Sequence, residues 1–159
     1  PLWSRGLGDV YKRQIISVGK LSSGYRGVAD HYCKMIKWKL KETELTYTKK
    51  LSEIQVKAYE AKLIHNQINS NSYKIVLDVQ GQQLNSQEFS ELFKNQMMIG
   101  QNIDIIIGGA FGLDDSVIKS GSIRLSLSKM TLPHQLTKLV LLEQIYRSQT
   151  ILAAHPYHK

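Results

Sequence analysis

The residues best suited to chemistry lie in the last third of this sequence. Gly108-Gly109-Ala110-Phe111-Gly112 closes the apolar run Ile105-Ile106-Ile107. Glycines there serve one of two ends. They supply a tight turn that needs positive φ, or they let a ligand approach the backbone with no Cβ in the way. The spacing Gly-Gly-x-x-Gly leaves both open. It is not the Gly-x-Gly-x-x-Gly of dinucleotide binding, and no phosphate-loop, zinc or nucleophile-elbow pattern occurs elsewhere. Cys33 is the sole cysteine, which excludes an internal disulfide and a cysteine-based zinc centre, so no metal is expected. The net charge of +8 admits nucleic acid as a partner, since Lys and Arg displace counterions from phosphates. A merely basic soluble protein fits that charge equally well.

These groups need a scaffold, and the chain has the means to build one. Its 159 residues, 42% of them hydrophobic and 21% charged, suit one domain with a substantial core. No apolar run approaches the roughly 20 residues of a membrane span, and no signal-peptide pattern is visible, so the cytoplasm is the expected compartment. Residues Ser4 to Gln14, SRGLGDVYKRQ, match the translation of a transposase sequencing adapter in one open frame. They are expected to be foreign to the protein. That divides the chain into a non-native segment, 1–14, and a single domain, 15–159. Setting aside Arg5, Lys12, Arg13 and Asp9 leaves a net charge of about +6.

Apolar runs predict strands at Ile15 to Val18, Tyr73 to Val79, Asn102 to Ile107 and Ile123 to Leu127. Alternation at Leu45 and Tyr47 predicts another over Thr43 to Thr48. Helical spacing predicts Tyr25 to Leu40, Leu51 to Asn66 with Ser52 as cap, Ser86 to Met98 with Ser86 as cap, and Leu113 to Lys119. A long last helix opens at Pro133. Strands alternating with helices argue an α/β fold, a mainly parallel sheet with helices on both faces. Leu136, Leu139, Val140 and Ile145 make an apolar stripe on the last helix longer than one sheet face obviously covers.

Several segments, taken in order, carry a resemblance. IISVGKL opens at Ile15. LDVQGQ, Leu77 to Gln82, is followed by SQEF. IIIGGAFGL runs from Ile105 to Leu113, LSLSKMTLPHQLTKLVLLEQIYR from Leu125 to Arg147, and PYHK from Pro156 to Lys159. Together they resemble the RlmH family of the SPOUT class. The likeness covers Ile15 to Lys159, is strongest after Tyr73 and is loose between Ser22 and Asn71. It implies a SPOUT-type C-terminal trefoil knot, an exception to the rule against knotted chains. It implies S-adenosyl-L-methionine bent into that knot by Leu77, Gly108 and Leu127-Ser128-Lys129-Met130-Thr131-Leu132.

On the substrate side the resemblance implies His134, Lys138, Arg147, Tyr157 and His158. Arg147 can hold a phosphate or carboxylate through two parallel hydrogen bonds. Tyr157 can stack on an unpaired base, and His158 can bind the nucleotide or help deprotonate it. Lys138 stands where the family usually carries arginine. It keeps the charge but not the planar fork. The implied reaction is methylation of N3 of a pseudouridine in 23S ribosomal RNA on the assembled ribosome, by a homodimer and without metal. Two other readings stand beside it: a SPOUT methyltransferase of another RNA, and a basic RNA-binding protein without catalysis.

Overall fold

A computed structural model describes residues 11–159. The first part of the adapter-like stretch, residues 4–10, lies outside the described residues. In chain order the elements are β1 (Arg13–Val18), α1 (Ser23–Met35), β2 (Leu40–Leu45), α2 (Glu53–Gln67), β3 (Tyr73–Gln83), α3 (Ser86–Met98), β4 (Ile103–Ile107), α4 (Asp115–Ser120), β5 (Ile123–Ser126) and α5 (His134–Leu152). The strands form one sheet in the order β2-β1-β4-β3-β5, with every neighbouring pair parallel.

The pleat explains the two cores. Ile15, Ile75, Ile103, Ile105 and Ile107 point to the face covered by α1, α3 and α5. Ile16, Val76 and Ile106 point to the opposite face, under α2 and α4. All residues of β1 and β4 are buried, as central parallel strands with helices on both sides must be.

The edges depart from expectation. α1 stops at Met35, well before Leu40, because Leu40 already pairs with Arg13 at the start of β2. β2 is an edge strand of sequence LKETEL with only Leu45 buried, so it lacks the apolar signal of its neighbours. Ser52 caps α2 as expected, in a capping box with Gln55. The cap of α3 is Asn85, not Ser86. Its side chain accepts from Glu88 N, and Glu88 accepts from Asn85 N. The Ser86 hydroxyl donates instead to Gln144 on α5.

β1 opens at Arg13 rather than Ile15, and both Arg13 and Gln14 are buried. Gln14 donates to Asp104 Oδ1 at 3.1 Å and accepts from Thr43 Oγ1 at 2.7 Å. Asp104 also accepts from Ser72 Oγ at 2.6 Å and Asn69 N at 2.9 Å. The start of the sheet is therefore tied by a buried polar network that includes Gln14, the last residue of the adapter-like stretch.

Candidate active site

In a parallel sheet the loops that leave the strands gather at one end, and ligands bind in the crevice they form. Here the loops after β3, β4 and β5, with the first turn of α5, enclose a cavity of about 760 Å³. That suits a cofactor-sized molecule. Of the residues expected to hold a cofactor, Leu77, Gly108, Leu127, Ser128, Met130, Thr131 and Leu132 line it. Lys129 belongs to the same loop but is exposed and outside the wall. The two serines of the LSLS segment shape this loop. Ser126 Oγ donates to Ser128 O at 2.8 Å, and Ser128 Oγ accepts from Met130 N at 3.0 Å.

The glycine turn has its own requirements. Gly112 has φ of +80°, which disfavours a side chain. A Cβ on Gly108 would lie 2.8 Å from Leu113 Cγ, so Gly108 is needed first for Leu113 to pack beneath the turn. A Cβ on Gly109 would meet the Glu60 carboxylate at 3.0 Å. Glu60 is buried on α2 and accepts from Tyr47 Oη at 2.6 Å. That bond, with burial, pushes the Tyr47 hydroxyl up to about 12. His134 lines the mouth of the cavity, its Nε2 3.4 Å from where a Cβ on Gly19 would sit.

The other expected substrate residues are elsewhere. Arg147, Tyr157 and His158 come together on the far part of α5. Arg147 Nη1 lies 3.1 Å from His158 Nδ1, and its guanidinium lies 4.8 Å from the Tyr157 ring centre. A guanidinium only donates, so His158 Nδ1 accepts, which puts the proton of the neutral ring on Nε2. Glu143 holds the group together. It accepts from Arg147 Nη2 at 2.6 Å and from Tyr157 Oη at 3.1 Å. Its hydrogen bond raises the Arg147 guanidinium above its ordinary value, and burial followed by the Glu143 charge raises the Tyr157 hydroxyl. Tyr146 packs edge-on against Tyr157 at 4.8 Å. Thirteen residues separate His134 from Arg147 on one helix, a span of about 20 Å. Within one chain the tail cluster and the cavity are therefore apart.

Lys138 requires a correction. It was expected to face substrate but is only 2% exposed, with Nζ 2.9 Å from Glu42 Oε2 and 3.3 Å from Ser17 Oγ. It shares its turn of α5 with His134, yet α5 lies over α1 and the sheet, and the carboxylates of β2 close around the ammonium. Arg26 and Cys33 of α1 also reach Glu42. Burial alone would raise the Glu42 carboxyl, but Lys138, Cys33 and Arg26 together hold it below its ordinary value. Burial and the hydrogen bond to Glu42 push the Cys33 thiol up to about 12. Of the apolar stripe that was expected to exceed one sheet face, Ile145 is fully buried, whereas Leu136, Leu139 and Val140 remain half-buried. Sequence reading also missed Glu60 and Glu143. The four-residue spacing of Glu143 to Arg147 was a usable signal. Nothing near Glu60 indicated Gly109.

Among the described residues no cluster of His, Cys, Asp or Glu is arranged to hold a metal, and no helix is long and apolar enough to cross a membrane.

Residues 11–158 match the family model described as predicted SPOUT methyltransferase. The chain is 40% identical over 155 residues to ribosomal RNA large subunit methyltransferase H 1 of Clostridium perfringens (strain SM101 / Type A), covering 91% of this chain and 98% of that protein. Ribosomal RNA large subunit methyltransferase H of Clostridium botulinum (strain Okra / Type B1) gives the same identity and coverage. Among solved structures, a probable methyltransferase from Bordetella pertussis Tohama I superposes with a TM-score of 0.60 at 9% identity, covering 91% of this chain and 98% of that one. This last likeness concerns the fold alone.

Proposed function

Because the chain belongs to the SPOUT methyltransferases, and within them to the RlmH family, we propose that it methylates N3 of a pseudouridine in 23S ribosomal RNA on the assembled ribosome, in the cytoplasm, with S-adenosyl-L-methionine as donor. The observation that carries this reading is the cavity at the carboxyl ends of β3, β4 and β5. Nearly all of the residues that the family resemblance marked for the cofactor line it. They suit such a ligand physically. Leu77, Leu127 and Leu132 offer apolar surface to a purine, and the turn at Gly108 to Gly112 offers backbone without side chains. When bound, the cofactor supplies a methyl group on a positively charged sulfur, a leaving group that needs no metal.

The chain's own residues position the base and deal with its N3 proton. Tyr157 offers a ring to stack on the base, and Arg147 a fork for a phosphate. His158, its Nδ1 engaged by Arg147, has Nε2 left to hold or move the N3 proton. The distance of about 20 Å along α5 means that one chain's tail does not reach its own cavity. We therefore place the tail of one protomer over the cavity of a second. The apolar residues of α5 support such a homodimer. Leu141, Leu142 and Ile145 are buried within the chain, while Leu136 and Val140, one turn apart, are left half-covered. In this reading residues 15–159 form one catalytic domain, and the adapter-like stretch takes no part in catalysis.

Titrating S-adenosyl-L-methionine into the purified chain by calorimetry tests the cofactor assignment. Saturable binding with one site per chain is expected. Absence of binding at millimolar ligand would leave a basic RNA-binding protein without catalysis as the better reading.

A further inference from the structure

We propose that Arg124 and Asp78 form the subsite for the amino-acid end of the methyl donor, an inference that rests on the cofactor reading above. Both residues line the cavity, and neither was singled out by the sequence. Asp78 is the first residue of β3 beyond Leu77, where pairing with β5 breaks and resumes only at Gln82. Such a bulge re-aims side chains. Gly81 makes it possible, since a Cβ there would lie 2.6 Å from the Arg124 carbonyl oxygen. Arg124 pairs in register with Val76, whose side chain points to the α2 and α4 face.

The cavity therefore has two kinds of wall. Leu77 and Leu125 belong to the apolar core on the α1, α3 and α5 side. On the other side Arg124 and Asp78 join Lys57 of α2 and Asp115 of α4, two cations and two carboxylates. An α-amino acid is a zwitterion, and this wall offers a counter-charge to each half. Arg124 Nε and Nη2 are both on Asp78 Oδ2, and Asp78 Oδ1 accepts from Gln80 N at 3.3 Å. The guanidinium keeps Nη1 for a further acceptor. The Arg124 side chain is 41% exposed and can turn towards a carboxylate, whereas Asp78 is only 18% exposed, so its charge must then be met by the ammonium of the ligand. Solvent screens the pair on its Arg124 side, which limits what it contributes to folding. A ligand that carries both charges makes better use of it.

Two ligands of the full-length chain separate this subsite from the rest of the cavity. S-adenosyl-homocysteine carries the amino-acid end, and 5′-methylthioadenosine has the same nucleoside and sulfur without it. Calorimetry should show Arg124→Gln and Asp78→Asn each weakening S-adenosyl-homocysteine about tenfold, while 5′-methylthioadenosine affinity stays within roughly twofold of wild type. Circular dichroism should show both variants folded. Unchanged S-adenosyl-homocysteine affinity in the variants, or equal losses for both ligands, overturns the proposal and leaves the cofactor site standing. Failure of wild type to bind either ligand overturns the cofactor reading as well.

Discussion

Lys138 lies among carboxylates, and its surroundings decide what its loss would do. Truncation to Ala leaves Glu42 with Arg26 as its remaining cation and removes a buried stem, which costs about 1–3 kcal/mol. Lys138→Met, which keeps the apolar stem, should cost the same charge but less packing. Chemical denaturation of both variants checks this, and wild-type stability in Lys138→Ala would mean that the ion pair is idle. The same cluster predicts a pH dependence. Glu42 titrates below its ordinary value of 4.5 in the folded chain. Its contribution is therefore full above the ordinary value and is lost as pH falls through the lower, folded one. Glu42→Gln should flatten the loss of melting temperature between about pH 5 and pH 3. Cys33, held up to about 12, should resist thiol reagents at pH 8 in the native state and react on unfolding. Rapid native labelling would contradict its burial beside Glu42. Gly108→Ala should lower the melting temperature, by about 1–3 kcal/mol of stability, because its Cβ meets Leu113 before it meets any ligand.

At the scale of elements, legibility followed burial. β1 and β4 are covered on both faces, so their composition is nearly all apolar and they stand out in sequence. β2 is half-covered, polar and at an edge, and it was placed a few residues late. The loops around the cavity were readable only because LDVQGQ, IIIGGAFGL and LSLSKMTLPHQ resemble known segments. What brings Asp78 to Arg124 is the parallel register of β3 and β5, which local spacing does not contain. Lys138 was misread for a related reason. Helical periodicity says which residues share a face but not which neighbour covers it. The start of β1 yields a test. A chain trimmed to begin at Ile15 loses the Gln14 bonds to Asp104 and Thr43 and should be roughly 1–3 kcal/mol less stable than one beginning at Tyr11. Equal melting temperatures would show that the network contributes nothing. The tail yields another. Deleting Tyr157 to Lys159 should leave cofactor affinity within a few-fold and reduce methyl transfer by orders of magnitude, since that segment lies outside the cavity wall. Near-normal transfer would make it a structural end piece and return the substrate role to Arg147 and His134.

At the scale of the molecule, the cavity and the tail make a working site only if two chains share it. Sedimentation at micromolar concentration should show a dimer, and a charge at Val140 should dissociate it with the fold intact. A wild-type monomer would separate the tail from the chemistry. Methyl transfer itself is the most direct test. Ribosomes from a strain lacking the corresponding methyltransferase, incubated with this protein and S-adenosyl-L-methionine, can be read by mass mapping of their 23S RNA. The predicted result is a gain of one methyl group, confined to a fragment that contains a pseudouridine and located on that base. No gain, or a methyl group on a different base or a different RNA, would contradict the account.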